Sequence, residues 1–293
     1  MNLVFLYKLL FLVVIDSATY LASACLLGMM RGDYNVADTE KEYTSPWHQF
    51  KSMTVDGVQY LRSCFFGGIV FVKFTGALVY GAADILSVVL SEQQPEPGEV
   101  TDPNQRLGLL FSVVGVGCLL GPLIAEPFMD MERPASLQLS CILSFGIMAF
   151  GFYGWSMFTP FWSLCFFASI RAAGSSILWT NSSILLQKFS EPQMLGRVMA
   201  VDVALGQLTE AASAYMCGVL LDKVSLTTPE VSFVFGSFGA LCMLLWGWYH
   251  ISGGGATGYH QDELLTMQLV NSTDYSLSKP LMISTETSLK SIQ

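Results

Sequence analysis

Several ionisable residues stand inside long apolar segments of the chain, among them Lys73, Arg171, Asp202 and Glu210. A charge at the centre of a bilayer costs about 2.5–3.5 kcal/mol, so such residues are candidates for binding protons, ions or charged substrates. Each also has a structural alternative, because polar side chains tie membrane helices together. We weigh Arg171 and Glu210 toward a functional role and Asp202 toward a structural one, and both roles stay open for Lys73. Arg171 could be the counter-ion of a carboxylate such as Glu210.

The spacing of these residues predicts that they share helical faces with other polar side chains. Lys73, Tyr80 and Asp84 are separated by seven and four residues, which places them within one narrow arc of a helix. Such arcs would line one aqueous cavity between helices. The candidates for a substrate or proton pathway are Arg171, Glu210, Asp202, Lys73, Gln207 and Asn181.

Seven long apolar segments must position these side chains. Each reaches the length of about 20 apolar residues that a helix needs to cross a bilayer. The sequence therefore predicts an all-α, polytopic membrane protein with seven transmembrane helices, in which every backbone polar group is satisfied within its own segment. The predicted spans are 2–30, 64–90, 107–127, 136–158, 160–187, 197–221 and 230–251.

Composition supports a lipid bilayer as the surroundings and argues against several other classes of protein. Only 13% of the residues are charged, against roughly twice that share in a soluble domain. The net charge of −9 provides no basic stripe for nucleic acid. The three histidines are too scattered for a metal site, and no nucleotide-binding or hydrolase motif is present, so we predict no cofactor and no enzyme activity.

Lysine and arginine are concentrated in the connections on one side of the predicted membrane, which by the positive-inside rule places the N-terminus outside and the C-terminus in the cytoplasm. In the connection 31–63, Phe50, Met53, Tyr60 and Leu61 fall on one helical arc that could lie along the membrane surface. An ordinary linker fits this connection nearly as well. The predicted organisation is a single helix over 1–30, a cytoplasmic loop over 31–63, a six-helix lobe over 64–251 and a disordered cytoplasmic tail over 252–293.

The order of these features resembles the second half of a major facilitator superfamily transporter. The strongest likeness covers 182–222, where Glu191-Pro192 and Gly196-Arg197-Val198 lie in a short inner loop between two polar-ended helices. Residues 16–24 resemble the end of helix six, and 107–122 resemble helix eight. Within the superfamily, the likeness is to the drug and siderophore exporter branch, which includes macrolide-efflux and enterobactin-exporter proteins.

This resemblance implies that the spans are helices six to twelve, which independently places the N-terminus outside. It also implies gradient-driven export of a small amphiphilic molecule by proton antiport. The loop residues that would help hold two lobes together on the inner side are Gly196, Arg197, Glu126 and Arg133. Leu195 departs from the family pattern, which has an arginine there.

Alternating access requires two lobes that rock about a midplane site, and this chain has one lobe and one further helix. We therefore expect an incomplete or half transporter that works with a missing N-terminal lobe or a second copy. The alternative is a non-transporting membrane protein, either a relative of transporters that binds a partner or, with less support from the motifs, a seven-helix receptor.

Overall fold

The computed structural model describes residues 3–29, 45–63 and 68–252. Within these ranges the chain is almost entirely helical and has no strand, which confirms the predicted all-α class. The α-helices are α1 (Leu3–Met29), α2 (Pro46–Ser63), α3 (Gly68–Tyr80), α4 (Ala82–Glu92), α5 (Pro103–Ala125), α6 (Pro134–Met157), α7 (Phe161–Phe189), α8 (Pro192–Asp222) and α9 (Thr228–Ile251). A short 3₁₀ turn, Glu126–Phe128, follows α5.

Five of the described stretches are long and apolar enough to cross a membrane, which confirms a polytopic helical membrane protein. They are Val70–Glu92, Pro103–Phe128, Pro134–Met157, Phe161–Phe189 and Thr228–Ile251. The remaining two predicted spans correspond to α1 and α8. In α1 the described apolar stretch, Val13–Leu26, is shorter than these five, and α8 carries several polar residues. The total of seven spans therefore stays a prediction.

The chain divides into two compact units, one containing α1 and the other containing α2 to α9. In α1, the described apolar side chains are exposed. The first part of the predicted loop, 31–44, and almost all of the predicted tail, 253–293, lie outside the described residues.

Proline and capping residues mark where several helices begin. Proline is the first residue of α2, α5, α6 and α8, where its missing N–H would have no partner within the helix. Asp102 caps α5 by accepting a hydrogen bond from the backbone N–H of Asn104 at 3.0 Å. Thr227 and Glu230 form a capping box at the start of α9. These local signals fix where the four proline-led helices and α9 begin.

Glycines allow the helices of the bundle to approach closely. A Cβ atom on Gly121 of α5 would lie 2.6 Å from the carbonyl oxygen of Ala173 in α7, and a Cβ on Gly151 of α6 would lie 2.6 Å from the Cβ of Arg171. The pairing of Gly117 with Gly121 thus supports tight packing of α5 on α7, as this spacing predicts. The most extensive packing joins α6 to α7, α5 to α7 and α6 to α9, while α8 packs mainly on α3 and α2.

Candidate functional site

A cavity of about 290 Å³ lies among α3, α5, α6, α7 and α8. Its wall combines apolar and aromatic side chains with a few polar groups, as small-molecule sites in proteins commonly do. Glu210 is the one acidic residue among those that line it. The lining residues are Gly76, Ala77, Tyr80, Cys118, Met148, Ser175, Ser176, Leu178, Trp179, Thr180, Gln207 and Glu210.

Two of the predicted pathway residues, Gln207 and Glu210, lie directly on the cavity wall. Both project from α8, three residues apart, which places them on the same face of that helix. Gly81 lets the helices meet here, since a Cβ on it would lie 2.5 Å from the carbonyl oxygen of Glu210. Asp84, one turn beyond Tyr80, is exposed at the surface of the bundle.

Lys73 and Asp202 form a buried ion pair beside the cavity. The Nζ atom of Lys73 lies 2.5 Å from Oδ2 of Asp202, and each side chain is 1% exposed. Lys73 also donates a hydrogen bond to Oγ of Ser183 at 3.0 Å, and its ammonium group lies 4.1 Å from the ring centroid of Trp179. Trp179 lines the cavity, so one face of this cluster contacts the cavity wall. The pair joins α3 to α8 over 129 residues of sequence.

Asp202 is incompletely satisfied in this cluster. Its second carboxylate oxygen, Oδ1, is buried and has no hydrogen-bond partner among the described residues. A buried oxygen of this kind loses its hydration without a compensating bond, which is unfavourable. Oδ1 can bind a proton, or it can accept a hydrogen bond from a water molecule or a ligand that reaches the pair.

Arg171 is 1% exposed and lies among aromatic rings. Its guanidinium carbon is 5.0 Å from the ring centroid of Tyr80, 5.2 Å from that of Trp155 and 5.7 Å from that of Phe152. The suggested ion pair between Arg171 and Glu210 is not formed, because the rings occupy the surroundings of the guanidinium. Nε and Nη1 have no hydrogen-bond partner within the part of the chain that the structure describes. Tyr80 contacts Arg171 and also lines the cavity, so it connects the two.

Asn181 does not lie on the cavity wall. Its side-chain amide donates hydrogen bonds to Oγ of Ser140 at 2.8 Å and to the sulfur of Met129 at 3.2 Å. It is 2% exposed and ties α7 to α6 and to the turn that follows α5. This geometry fits a structural hydrogen bond between membrane helices.

The predicted gating residues lie at the end of the bundle where α8 begins. Arg197 makes an ion pair with Asp56 of α2, with Nη1 and Oδ2 3.4 Å apart. Arg133 pairs with Asp130 at 3.0 Å, and both side chains are largely exposed. Gly196 and Glu126 are exposed. The ion pairs of Arg197 and Arg133 thus join residues of the same bundle.

Sequence reasoning missed Trp179, although this residue contacts Lys73 and lines the cavity. The available signal was its position, eight residues after Arg171 and within a span, away from the interfaces where tryptophan usually lies. It also missed Arg106, which is buried near the start of α5. Arg106 donates a hydrogen bond to the carbonyl oxygen of Gln93 at 2.5 Å and lies 4.7 Å from the ring centroid of Phe161.

Within the described ranges, no three His, Cys, Asp or Glu side chains come together in a way that could hold a metal ion.

No protein-family model, no curated protein and no solved structure matches this chain.

Proposed function

We propose that the bundle is one lobe of a transporter of the major facilitator type, which exports a small amphiphilic molecule in exchange for protons. The observation that carries this proposal is the cavity, where an acidic side chain, Glu210, and two aromatic ones, Tyr80 and Trp179, share one wall. An amphiphile needs both an apolar surface and a polar contact. A membrane pathway for it must enclose both.

The exposed polar groups on the bundle support a second lobe opposite this surface. Asp84 and Gln207 are exposed, and Glu210 is half-buried, although all three project from helices of the membrane bundle. Carboxylates and amides facing lipid would be costly, so this surface needs water or protein against it. A second lobe with an aqueous cavity between the two provides both. The second lobe, whether part of a longer polypeptide or another copy, belongs to the proposal.

The packing of the helices also supports this architecture. We group α3 with α4, α5 and α6 as one half and α7, α8 and α9 as the other. Exchanging the halves then converts the contact of α5 with α7 into the smaller contact of α8 with α3 and α4. The contact of α6 with α7, the most extensive in the bundle, converts into the small contact of α9 with α3 and α4 and so departs from the symmetry. The contact of α6 with α9 converts into itself. Internal repeats of three helices within each six-helix half are a feature of such transporters.

The buried pair suggests how protons could be coupled to movement. Protonation of Asp202 would remove the negative charge that faces Lys73, and the joint between α3 and α8 would weaken. Because Trp179 lies over Lys73 and also lines the cavity, a bound molecule and this pair would affect each other. We place the N-terminus outside and the C-terminus in the cytoplasm, on the distribution of lysine and arginine.

The test is transport by purified protein in liposomes under an imposed pH gradient, with a panel of fluorescent amphiphiles. We expect gradient-dependent movement that is lowered at least about tenfold by Glu210→Gln, because a contact to a charged group contributes about 1.5–3 kcal/mol. Glu92→Gln is the matched control, since Glu92 is an exposed carboxylate at the end of α4, away from the cavity wall. If two copies form the transporter, the rate per copy rises with protein density.

Failure of folded protein to move any compound, at every protein density and also with a complementary lobe present, would overturn the proposal. It would favour the non-transporting alternative.

A further inference from the structure

Helix α2 has two different faces. The residues at positions 53, 56, 57, 60 and 61 face the bundle, where Gly57 and Leu61 are buried. A Cβ on Gly57 would lie 3.2 Å from the carbonyl oxygen of Arg197, so α2 meets α8 closely at this point. Tyr60 accepts a hydrogen bond from the backbone N–H of Glu191 at 2.9 Å. Of the arc that the sequence suggested for the membrane surface, Met53, Tyr60 and Leu61 thus lie on the side that packs on the bundle, and the side chain of Phe50 lies outside the described residues.

The opposite face of α2 is exposed and follows a helical stripe of its own. Residues at positions 47, 51, 55, 58 and 62 fall within one narrow arc, since neighbours on a helix face are three or four residues apart. Trp47 is 70% exposed, and Val55 and Val58 are 44% and 40% exposed. Lys51 and Arg62 are exposed on the same arc. The exposed face thus combines a tryptophan, two valines and two cations.

The contacts of α2 place it at one end of the membrane bundle. Its contacts with Glu191 and Arg197 lie at the turn between α7 and α8, which is one end of the membrane bundle. The same end carries the exposed ion pair of Lys188 with Glu132, at 2.9 Å. Lys51 and Arg62 exclude a position in the hydrocarbon. Tryptophan and cationic side chains are the groups that favour the interface.

We propose that the face formed by Trp47, Lys51, Val55, Val58 and Arg62 binds the phosphate headgroups of anionic lipids in the bilayer that holds the bundle. Trp47 and the two valines enter the boundary between headgroups and acyl chains, while Lys51 and Arg62 contact phosphates. Within the described residues neither cation has an acidic partner, so both charges are available to lipid. The proposal does not depend on transport.

The test places an environment-sensitive fluorophore on Val58→Cys, in full-length protein whose other cysteines are replaced, in nanodiscs that contain one copy. Nanodiscs of neutral phosphatidylcholine are compared with nanodiscs that contain increasing phosphatidylglycerol. We expect the emission to shift to the blue as the anionic fraction rises. At a fixed anionic fraction, each of Lys51→Gln and Arg62→Gln should lower the ratio of shifted to unshifted protein about fivefold, since a basic residue near an anionic surface contributes about that factor to the equilibrium constant.

The matched control label is Val224→Cys, an exposed valine just after the other end of α8. Its emission should not respond to the lipid, and added salt should reverse the shift at Val58. Lys223→Gln controls for the loss of a positive charge far from α2. The proposal is overturned if emission at Val58 is the same in neutral and anionic nanodiscs, or if the shift survives in the double variant. A shift that is absent with one copy and appears only in nanodiscs loaded with two copies would assign the face to a second copy instead.

Discussion

Breaking the buried pair of Lys73 and Asp202 should affect stability strongly, and removing both charges should not. The perturbations are Lys73→Met, Asp202→Asn and the double variant. Each single change leaves one charge buried at about 1% exposure without its counter-ion. In Asp202→Asn the ammonium group keeps Ser183 and Trp179, and in Lys73→Met the carboxylate keeps no hydrogen-bond partner among the described residues.

The size of the effect follows from this burial. Removing one member of a buried ion pair typically costs about 3–5 kcal/mol, because the remaining charge is uncompensated. We expect Lys73→Met to lie at the upper end of that range. Asp202→Asn should lie near the lower end, since Ser183 and Trp179 still contact the ammonium group. The double variant buries no charge here and leaves only the neutral amide at position 202 without its partner, so its free energy of unfolding should fall by about 1–2 kcal/mol, less than either single change costs.

The assay is reversible unfolding in mixed micelles with increasing denaturing detergent, followed by tryptophan fluorescence, and analysed as a double-mutant cycle. The matched control is Lys223→Met, which removes an exposed lysine and should change the free energy of unfolding by less than about 0.5 kcal/mol. The reasoning is refuted if each single change costs less than about 1 kcal/mol, or if the costs of the two single changes add up in the double variant.

Two further predictions concern the cavity and the packing of α5. Cys118 lines the cavity, whereas Cys141 is fully buried. A membrane-permeant maleimide should therefore modify Cys118 in folded protein and leave Cys141 unmodified, as measured by peptide mass spectrometry. Equal labelling of the two cysteines would contradict the presence of the cavity. Gly121→Ala should lower the free energy of unfolding by about 1–3 kcal/mol, because the added Cβ would press on the backbone of Ala173. Gly115→Ala is the control and should not lower the free energy of unfolding, because a Cβ there would meet open space. Equal effects of the two substitutions would show that close packing is not the cause.

The sequence predicts the helices well because the signals for them are local. Length and apolarity locate the five helices that are long and apolar enough to cross a membrane, and prolines locate several helix starts. The glycines at 117 and 121 indicate a packing surface because their spacing alone brings them to one face of α5. For the same reason the candidate charged residues could be named before their surroundings were known.

The partners of these charges could not be predicted, because they depend on packing between distant segments. Nothing local distinguishes Asp202 from Glu210 as the partner of Lys73, or places three rings around Arg171. For a similar reason the sequence could not predict which face of α2 packs on the bundle. Both of its faces carry apolar residues, and the close approach of Gly57 to α8 decides which one is buried.

The most direct test of the proposed transport is the sidedness of access to the cavity. Gln207→Cys, in protein whose other cysteines are replaced, is reacted with a membrane-impermeant maleimide added to either side of sealed vesicles. Gln207 lies on the cavity wall, so alternating access predicts labelling from both sides, with an imposed pH gradient changing the ratio of the two rates. Labelling from neither side, or from one side only under every gradient, would contradict a transport cavity.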